Sequence, residues 1–559
     1  MKSPFFASVL AASVASACAQ GALAHDMDRH VLLISIDGMH SVDFENCRKA
    51  GTCPTLKALA SHGVHYPRTS TSRPSDSFPG LMAIVTGATP RLMGVYYDVA
   101  YDRVLAPPAK ATGNGLSAGA CVAGQPNGTT TEFEEGVEID QTKLSGGSPL
   151  YTNAVDGGYL SIDPAKLPRD PYNHCSPVYP WNFVRTNTIY GVIHAAGGYT
   201  AWADKHGVYA SVSGPTGTSS PSNVDDYYAP EVNSNVVALP GVTTATGLNC
   251  GTAPATITGD WTGGFDAVKC NDQLKVNAVL NWIGGKNHLG TKSAPIPTIF
   301  GMNFQAVSVG QKLIASGVKG GYTDAAATPT APMLGEIEYV DAAIGQFVEA
   351  LTSAGLLDST TIVVTAKHGQ SPIDTNRFFP IPGHSGTNGT PPSGVLGASY
   401  LPDSELNQIG PTEDDISLLW LKPGADVAAA VKLLEANASA AGIGQIFYGN
   451  SLAPLFGKPG IPPSGDSRTP DIVIQPNVGV VYTGSTKKQA EHGGFAQDDT
   501  NVMLLVSNPH LAPRTVRSFV ETSQVAPTVL RILGLDPNAL SAVRAEGTPV
   551  LPGFEPDAE

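Results

Sequence analysis

The sequence predicts an α/β fold with a mainly parallel central sheet, loop-rich insertions and a small appended α+β subdomain. Two continuous apolar, β-branched runs carry this reading, His30 to Ile36 (HVLLISI) and Thr360 to Ala366 (TTIVVTA). Each stops at charged residues followed by glycine, Asp37-Gly38 in the first and Lys367-His368-Gly369 in the second. Strands buried on both faces read as unbroken apolar runs, and open parallel sheets present ligands at the carboxyl ends of such strands. The third observation is length, because 559 residues exceed the usual single domain and call for one large core carrying insertions or a subdomain.

The chain opens on a targeting pattern: Lys2, an apolar stretch from Phe5 to Ala17, then Ala22-Leu23-Ala24 as a small-residue cleavage site. Residues 1–24 are therefore read as a signal peptide cleaved near Ala24, and 25–559 as the mature domain, secreted or periplasmic. Cys18 only faintly suggests a lipidation site. No other apolar run approaches the ~20 residues that span a bilayer. The remaining Cys47, Cys53, Cys121, Cys175, Cys250 and Cys270 form an even set bound for an oxidising compartment, and pairing neighbours gives 47–53, 121–175 and 250–270. Their spacing contains no CxxC pair, which argues against a structural zinc site. A net charge of −15 and a pI near 5.3 oppose nucleic acid or an anionic membrane as main partner.

Along the chain, Leu56 to His62 reads as a short helix, and Phe78 to Thr86 (FPGLMAIVT) as another starting straight after Ser77, with Pro79 in its first turn. Gly-, Ser- and Thr-rich stretches at 105–180 and 205–290 hold four cysteines and read as stapled insertions over the core. Gly335 to Ala354 is an amphipathic helix. Ile416 to Tyr448 contains a strand, a helix (Val427 to Ala441) and a strand, forming a small subdomain at about 400–470. Asp471 to Ile474 is expected to return to the core, Val502 to Val506 to add a buried strand, and Ser523 to Leu533 a late helix.

Four strand ends or helix starts thus offer Asp37, Ser77, His368 and His492 in chain order, each near a Gly or Pro. A hydroxyl at a helix N-terminus sits where unpaired N–H groups and the macrodipole favour an anion, which suits a nucleophile that must hold a phosphoryl group. Asp76 reads as a surface residue at the helix start, Asp341 and Asp374 as helix caps, and His384 as a loop histidine that could point back to the site. Asn127, Asn388 and Asn437 begin glycosylation sequons.

The stretches ISIDG, RPSDSFPGLMAIVTGATPRLMGVYYD, VDAAIG, IVVTAKHG and AEHGG resemble, in order, the motifs of the type I phosphodiesterase and nucleotide pyrophosphatase family of the alkaline phosphatase superfamily. The resemblance implies an alkaline phosphatase-like three-layer α/β/α sandwich and a hydrolase acting on a small phosphate ester or nucleotide. It places the nucleophile at Ser77, forming a phosphoenzyme, and metal ligands at Asp37, His368 and His492. The family's two zinc ions need further carboxylate and His ligands, but Phe300 to Lys312 offers only Asn303 and Gln305, read as substrate or supporting residues, and Lys367 stands where an Asp is expected. A cation there repels a metal and attracts a substrate anion. Two economies stay open: one divalent ion, zinc or else manganese or calcium, supported by Lys367, with a second metal doubtful; or Lys367 in the electrophilic role by itself. The same superfamily also leaves open a sulfatase, a phosphonate hydrolase or a non-catalytic anion-binding homologue. Oligomeric state and leaving group are not encoded in these motifs.

Overall fold

In the computed structural model, eight strands line up in one sheet: β1 (His30–Ile36), β2 (Gly63–His65), β3 (Ala201–Ala203), β4 (Asp226–Tyr228), β5 (Ile299–Phe304), β6 (Thr360–Thr365), β7 (Leu505–Ser507) and β8 (Arg514–Thr515). The structure describes residues 30–134, 136–144, 158–234, 239–252, 260–382, 390–402 and 412–554. Across the sheet the order is β8-β2-β7-β6-β1-β5-β3-β4. Every pairing is parallel except the two made by β7, which alone runs against the rest.

The unbroken apolar run of β1 follows from burial on both faces. Leu32, Ile34 and Ile36 pack into one core, with residues of α1 (Ser41–Ala50), α3 (Phe265–Ile283) and α4 (Ala331–Ser353). Val31 and Leu33 pack into a second core on the opposite face, with α2 (Ser77–Thr86) and α5 (Val525–Ile532). Helices on both faces of a mainly parallel sheet make the three-layer α/β/α sandwich that the sequence predicts.

Register then decides what shares the carboxyl edge. Ser35 of β1 lies opposite Asn303 of β5 and Thr365 of β6, while Ala203 of β3 lies opposite Met302. One or two residues further on, Asp37, Asp204, Lys205, Gln305 and Lys367 all emerge at one edge. A one-residue slip would send each of them to the opposite face.

The small unit after residue 412 is a four-stranded antiparallel sheet ordered Thr412–Glu413, Ser417–Leu419, Ile472–Pro476, Ile443–Tyr448, with a helix at Val427–Ala436. Ile472–Pro476 therefore belongs to this sheet and does not return to the core as expected. Its partners on both sides hold the apolar Ile472 and Ile474 side chains in the subdomain's own core. The expected Val502 to Val506 strand splits: Asn501–Val502 pairs with Thr69–Ser70, and Leu505–Ser507 enters the main sheet as β7. The stretch 205–290 is more than an insertion, since it contributes the edge strand β4 and the long helix α3. Asp341 caps the helix Pro54–Ala60 through Thr55 N and Leu56 N, at 3.0 and 2.8 Å.

All three disulfides pair as the sequence predicts, 47–53, 121–175 and 250–270. Among the described residues no helix is long and apolar enough to cross a membrane. Residues 1–24, expected to be a signal peptide, and His384 and Asn388 lie outside the described residues.

Candidate active site

Ser77 opens helix α2, whose ten residues are all buried. Asp76 caps it, accepting from Phe78 N at 3.1 Å and from Asp98 N at 3.0 Å, in the usual manner of a carboxylate at a helix start. Gly80 explains how this helix reaches the sheet: a Cβ there would stand 2.1 Å from the backbone oxygen of Lys367. Only glycine lets the first turn of α2 rest directly on the end of β6, and that contact sets the distance between the hydroxyl and the residues after the strand.

Five of the expected residues, Asp37, Ser77, Asn303, Lys367 and His368, converge at this point. Ser77 Oγ lies 3.1 Å from His368 Nε2 and 3.5 Å from Asp37 Oδ2. The Asp37 carboxylate has Lys367 Nζ at 3.9 Å, Lys205 Nζ at 3.8 Å and the Asn303 amide donating at 3.1 Å. Burial pushes the Asp37 carboxyl up, but Lys367, His368 and Lys205 outweigh it and hold the group below the usual carboxylate range. Among the described residues Asp37 Oδ1 has no hydrogen-bond partner.

Lys367 is fully enclosed. Its ammonium donates to both oxygens of Asp204, at 3.0 and 3.1 Å, and sits 3.8 Å from the centre of the Tyr209 ring. Burial draws its pKa down against the pull of Asp204 and Asp37. Asp204 is itself fixed by Trp202 Nε1 at 3.0 Å. Lys205, the next residue, places Nζ 3.4 Å from Ser77 Oγ.

His368 Nδ1 lies 2.9 Å from the Gly369 carbonyl oxygen. A carbonyl only accepts, so Nδ1 carries the proton and Nε2 turns its lone pair to Ser77. Burial lowers the His368 pKa to about 4, which keeps the ring neutral at pH 7. His492 stands beside it, ring centres 4.0 Å apart, with Nδ1 3.6 Å from Asp76 Oδ1. Burial and the neighbouring His368 push its pKa well below the ordinary value. Its loop is pinned by Ser371 N to Glu491 O at 2.7 Å and Ser75 N to Gly493 O at 3.3 Å. Asp76 is buried, contrary to its surface reading; the same enclosure raises its pKa to about 6.

Above this floor opens a polar cleft of about 430 Å³, lined among others by Ser77, Tyr97, Lys205, Gln305, Lys312 and His492. Gln305 reaches the cleft wall, whereas Asn303 stays beneath it on Asp37. Lys312 and Lys488 both face Glu491 and, against burial, hold its carboxyl down at about 2.

Asp204, Lys205, Lys312 and Glu491 escaped the sequence reading. Asp204-Lys205 follows the three-residue strand β3 as Lys367-His368 follows β6, so the strand-end signal was present but too short to stand out.

One Asp and two His are zinc-type donors, yet their placement does not fit a divalent ion. Two ammonium groups lie within 4 Å of Asp37, and the His368 lone pair is engaged by Ser77. Among the described residues no group of three or more His, Cys, Asp or Glu side chains is arranged to hold a metal.

The sequence profile of the type I phosphodiesterase / nucleotide pyrophosphatase family matches residues 31–499. Murine ectonucleotide pyrophosphatase / phosphodiesterase 5 superimposes with a TM-score of 0.51 at 14% identity, covering 91% of this chain and 96% of that one. An inactive variant of the same murine protein, in complex with AMP, gives 0.50 at 13% identity over 91% and 96%. At such identities the likeness concerns the fold. No curated protein matches the chain by sequence.

Proposed function

This chain belongs to the type I phosphodiesterase / nucleotide pyrophosphatase family, hydrolases of phosphoric ester bonds, and we propose that it cleaves a phosphate ester through Ser77 with lysine side chains in place of metal ions. The 3.1 Å contact between Ser77 Oγ and His368 Nε2 carries the reading. His368 takes the hydroxyl proton as Oγ attacks phosphorus. The P–O bond to the leaving alcohol breaks, and the proton passes to that alcohol. Water, deprotonated by the same ring, bonds to phosphorus, the P–O bond to Ser77 breaks, and the proton returns from His368 to Oγ.

The anion needs positive charge as it enters and as it reacts. Lys205 faces the cleft beside Ser77 and holds a non-bridging oxygen, while Lys367 behind Asp37 supplies fixed charge from a buried position. The N-terminus of α2 adds the positive end of its dipole beside Ser77. Asp37 orients Ser77 from below, and His492 with Asp76 closes the side of the site. Gln305 meets the ester from the cleft wall. A small phosphodiester or nucleotide fits a cleft of this size. Three disulfides and the leader at 1–24 support export to an oxidising compartment.

The test is hydrolysis of bis(4-nitrophenyl) phosphate by wild type and Ser77→Ala, with elemental analysis of the purified protein. Loss of at least about 10³-fold in the variant is expected, with activity that survives chelation. Unchanged turnover in Ser77→Ala overturns the nucleophile. About one metal per chain, with activity lost on its removal, returns Asp37, His368 and His492 to metal ligation. Aryl sulfate and phosphonate substrates in the same assay separate this reading from its superfamily alternatives.

A further inference from the structure

A hydroxyl activated by a histidine, with a cation beside it, is not restricted to phosphorus. Three parts suffice for acyl transfer: a nucleophile, a base whose lone pair faces it, and a positive group where a carbonyl oxygen will gain charge. All three meet at the cleft floor. Ser77 Oγ lies 3.1 Å from His368 Nε2, His368 Nδ1 is committed to the Gly369 carbonyl at 2.9 Å, and Lys205 Nζ is 3.4 Å from the same hydroxyl.

The cleft lining adds a preference. Among its described residues it bears six carboxyl side chains, Asp98, Glu134, Asp260, Glu413, Asp414 and Glu491, against three lysine ammonium groups. Burial raises the pKa values of Glu413 and Asp414 to about 7, and Lys312 and Lys488 pair with Glu491, so the mouth carries little net charge and suits small substrates of low charge, an uncharged ester among them.

We propose that this cleft also hydrolyses small uncharged carboxylic esters through an acyl-Ser77 intermediate. Ser77 Oγ bonds to the carbonyl carbon while its proton moves to His368 Nε2, and the carbonyl oxygen gains negative charge beside Lys205. Collapse of the tetrahedral adduct breaks the ester C–O bond, and the His368 proton leaves on the alcohol. Water attacks the acyl carbon, returns a proton through His368 to Ser77, and releases the carboxylic acid. No oxidant, reductant or further reactant enters. This rests on the nucleophile assigned under the proposed function.

The experiment uses the disulfide-bonded chain with 4-nitrophenyl acetate, beside bis(4-nitrophenyl) phosphate in parallel. Expected are turnover of the acetate, a gain of one acetyl group on the peptide carrying Ser77 after acid quench, loss of turnover in Ser77→Ala, and a drop of about 10²- to 10⁴-fold in His368→Gln. Circular dichroism checks that both variants fold; if His368→Gln does not, the acetyl mark on wild-type Ser77 decides. Phosphodiester cleavage without acetate turnover overturns the acyl proposal and leaves the phosphodiesterase reading standing. Acetate turnover that persists in Ser77→Ala, or an acetyl mark elsewhere, also overturns it. Activity on neither substrate overturns both.

Discussion

Two groups of fully enclosed carboxylates, at the cleft floor and beneath the small sheet, end in opposite protonation states. Asp37 is ringed by Lys367, His368, Lys205 and the Asn303 amide and stays ionised. Asp415 and Asp499 face each other, with Ser371 Oγ donating to Asp415 at 2.8 Å. Burial, and for Asp415 the facing Asp499, drives the Asp415 pKa well above the ordinary value and that of Asp499 to about 7, so the pair keeps a proton. Enclosure is common to both places. Partners decide whether a buried acid is a charge or a hydrogen-bond donor, and only the first kind can serve an anion-transfer site built on lysines.

Removing Lys367 should break this contrast most severely. Lys367→Met takes from Asp37 and Asp204 the enclosed ammonium they share, which makes the floor resemble the acid pair. A loss of about 3–5 kcal/mol in unfolding free energy is expected, measured by urea titration, together with collapse of phosphodiester turnover. A change under about 1 kcal/mol would show that the floor does not depend on that ion pair.

Lys205→Met should separate catalysis from stability, because this ammonium faces the cleft. A drop of about 10²- to 10³-fold in kcat is expected, with an unfolding midpoint close to wild type. An equal loss of stability would place Lys205 with Lys367 as a structural cation. Gly80→Ala tests the spacing, since its Cβ meets the Lys367 carbonyl at 2.1 Å. Displacing Ser77 from His368 by about 1 Å should cost about 10²-fold in turnover; full activity would mean that the helix start tolerates movement.

The mildest change concerns pH. Asp499 titrates near 7 when folded against an ordinary 3.8, so the native state binds more protons than the unfolded chain between those values. Stability from this group is complete below about pH 4 and is lost as pH rises toward 7. Asp499→Asn should flatten that slope while wild-type activity is retained. An unaltered pH dependence of the unfolding midpoint would mean that the pair is not protonated.

The parts of this design that the sequence displays are those with long, self-announcing patterns. The runs before Asp37 and Lys367 are seven residues each, rich in apolar and β-branched side chains, and the helix after Ser77 begins with its own Pro and cap. Lys205 hides because β3 has three residues and lies beside a Gly- and Ser-rich stretch, so no periodicity marks it. Asp76 misleads for another reason: a capping Asp normally faces water, and only the tertiary approach of Asp98 and His492 encloses this one. Ile472–Pro476 fails on pairing, since an apolar run does not say which sheet will claim it.

Charge that belongs to the chain has a consequence for how such a protein matures. Lys205 and Lys367 arrive with the polypeptide and take their places when β3 and β6 align in register. On the proposed lysine-based reading, nothing beyond the chain itself has to be acquired for the floor beneath Ser77 to be electrostatically complete. Assembly of the centre and folding of the sheet become one event.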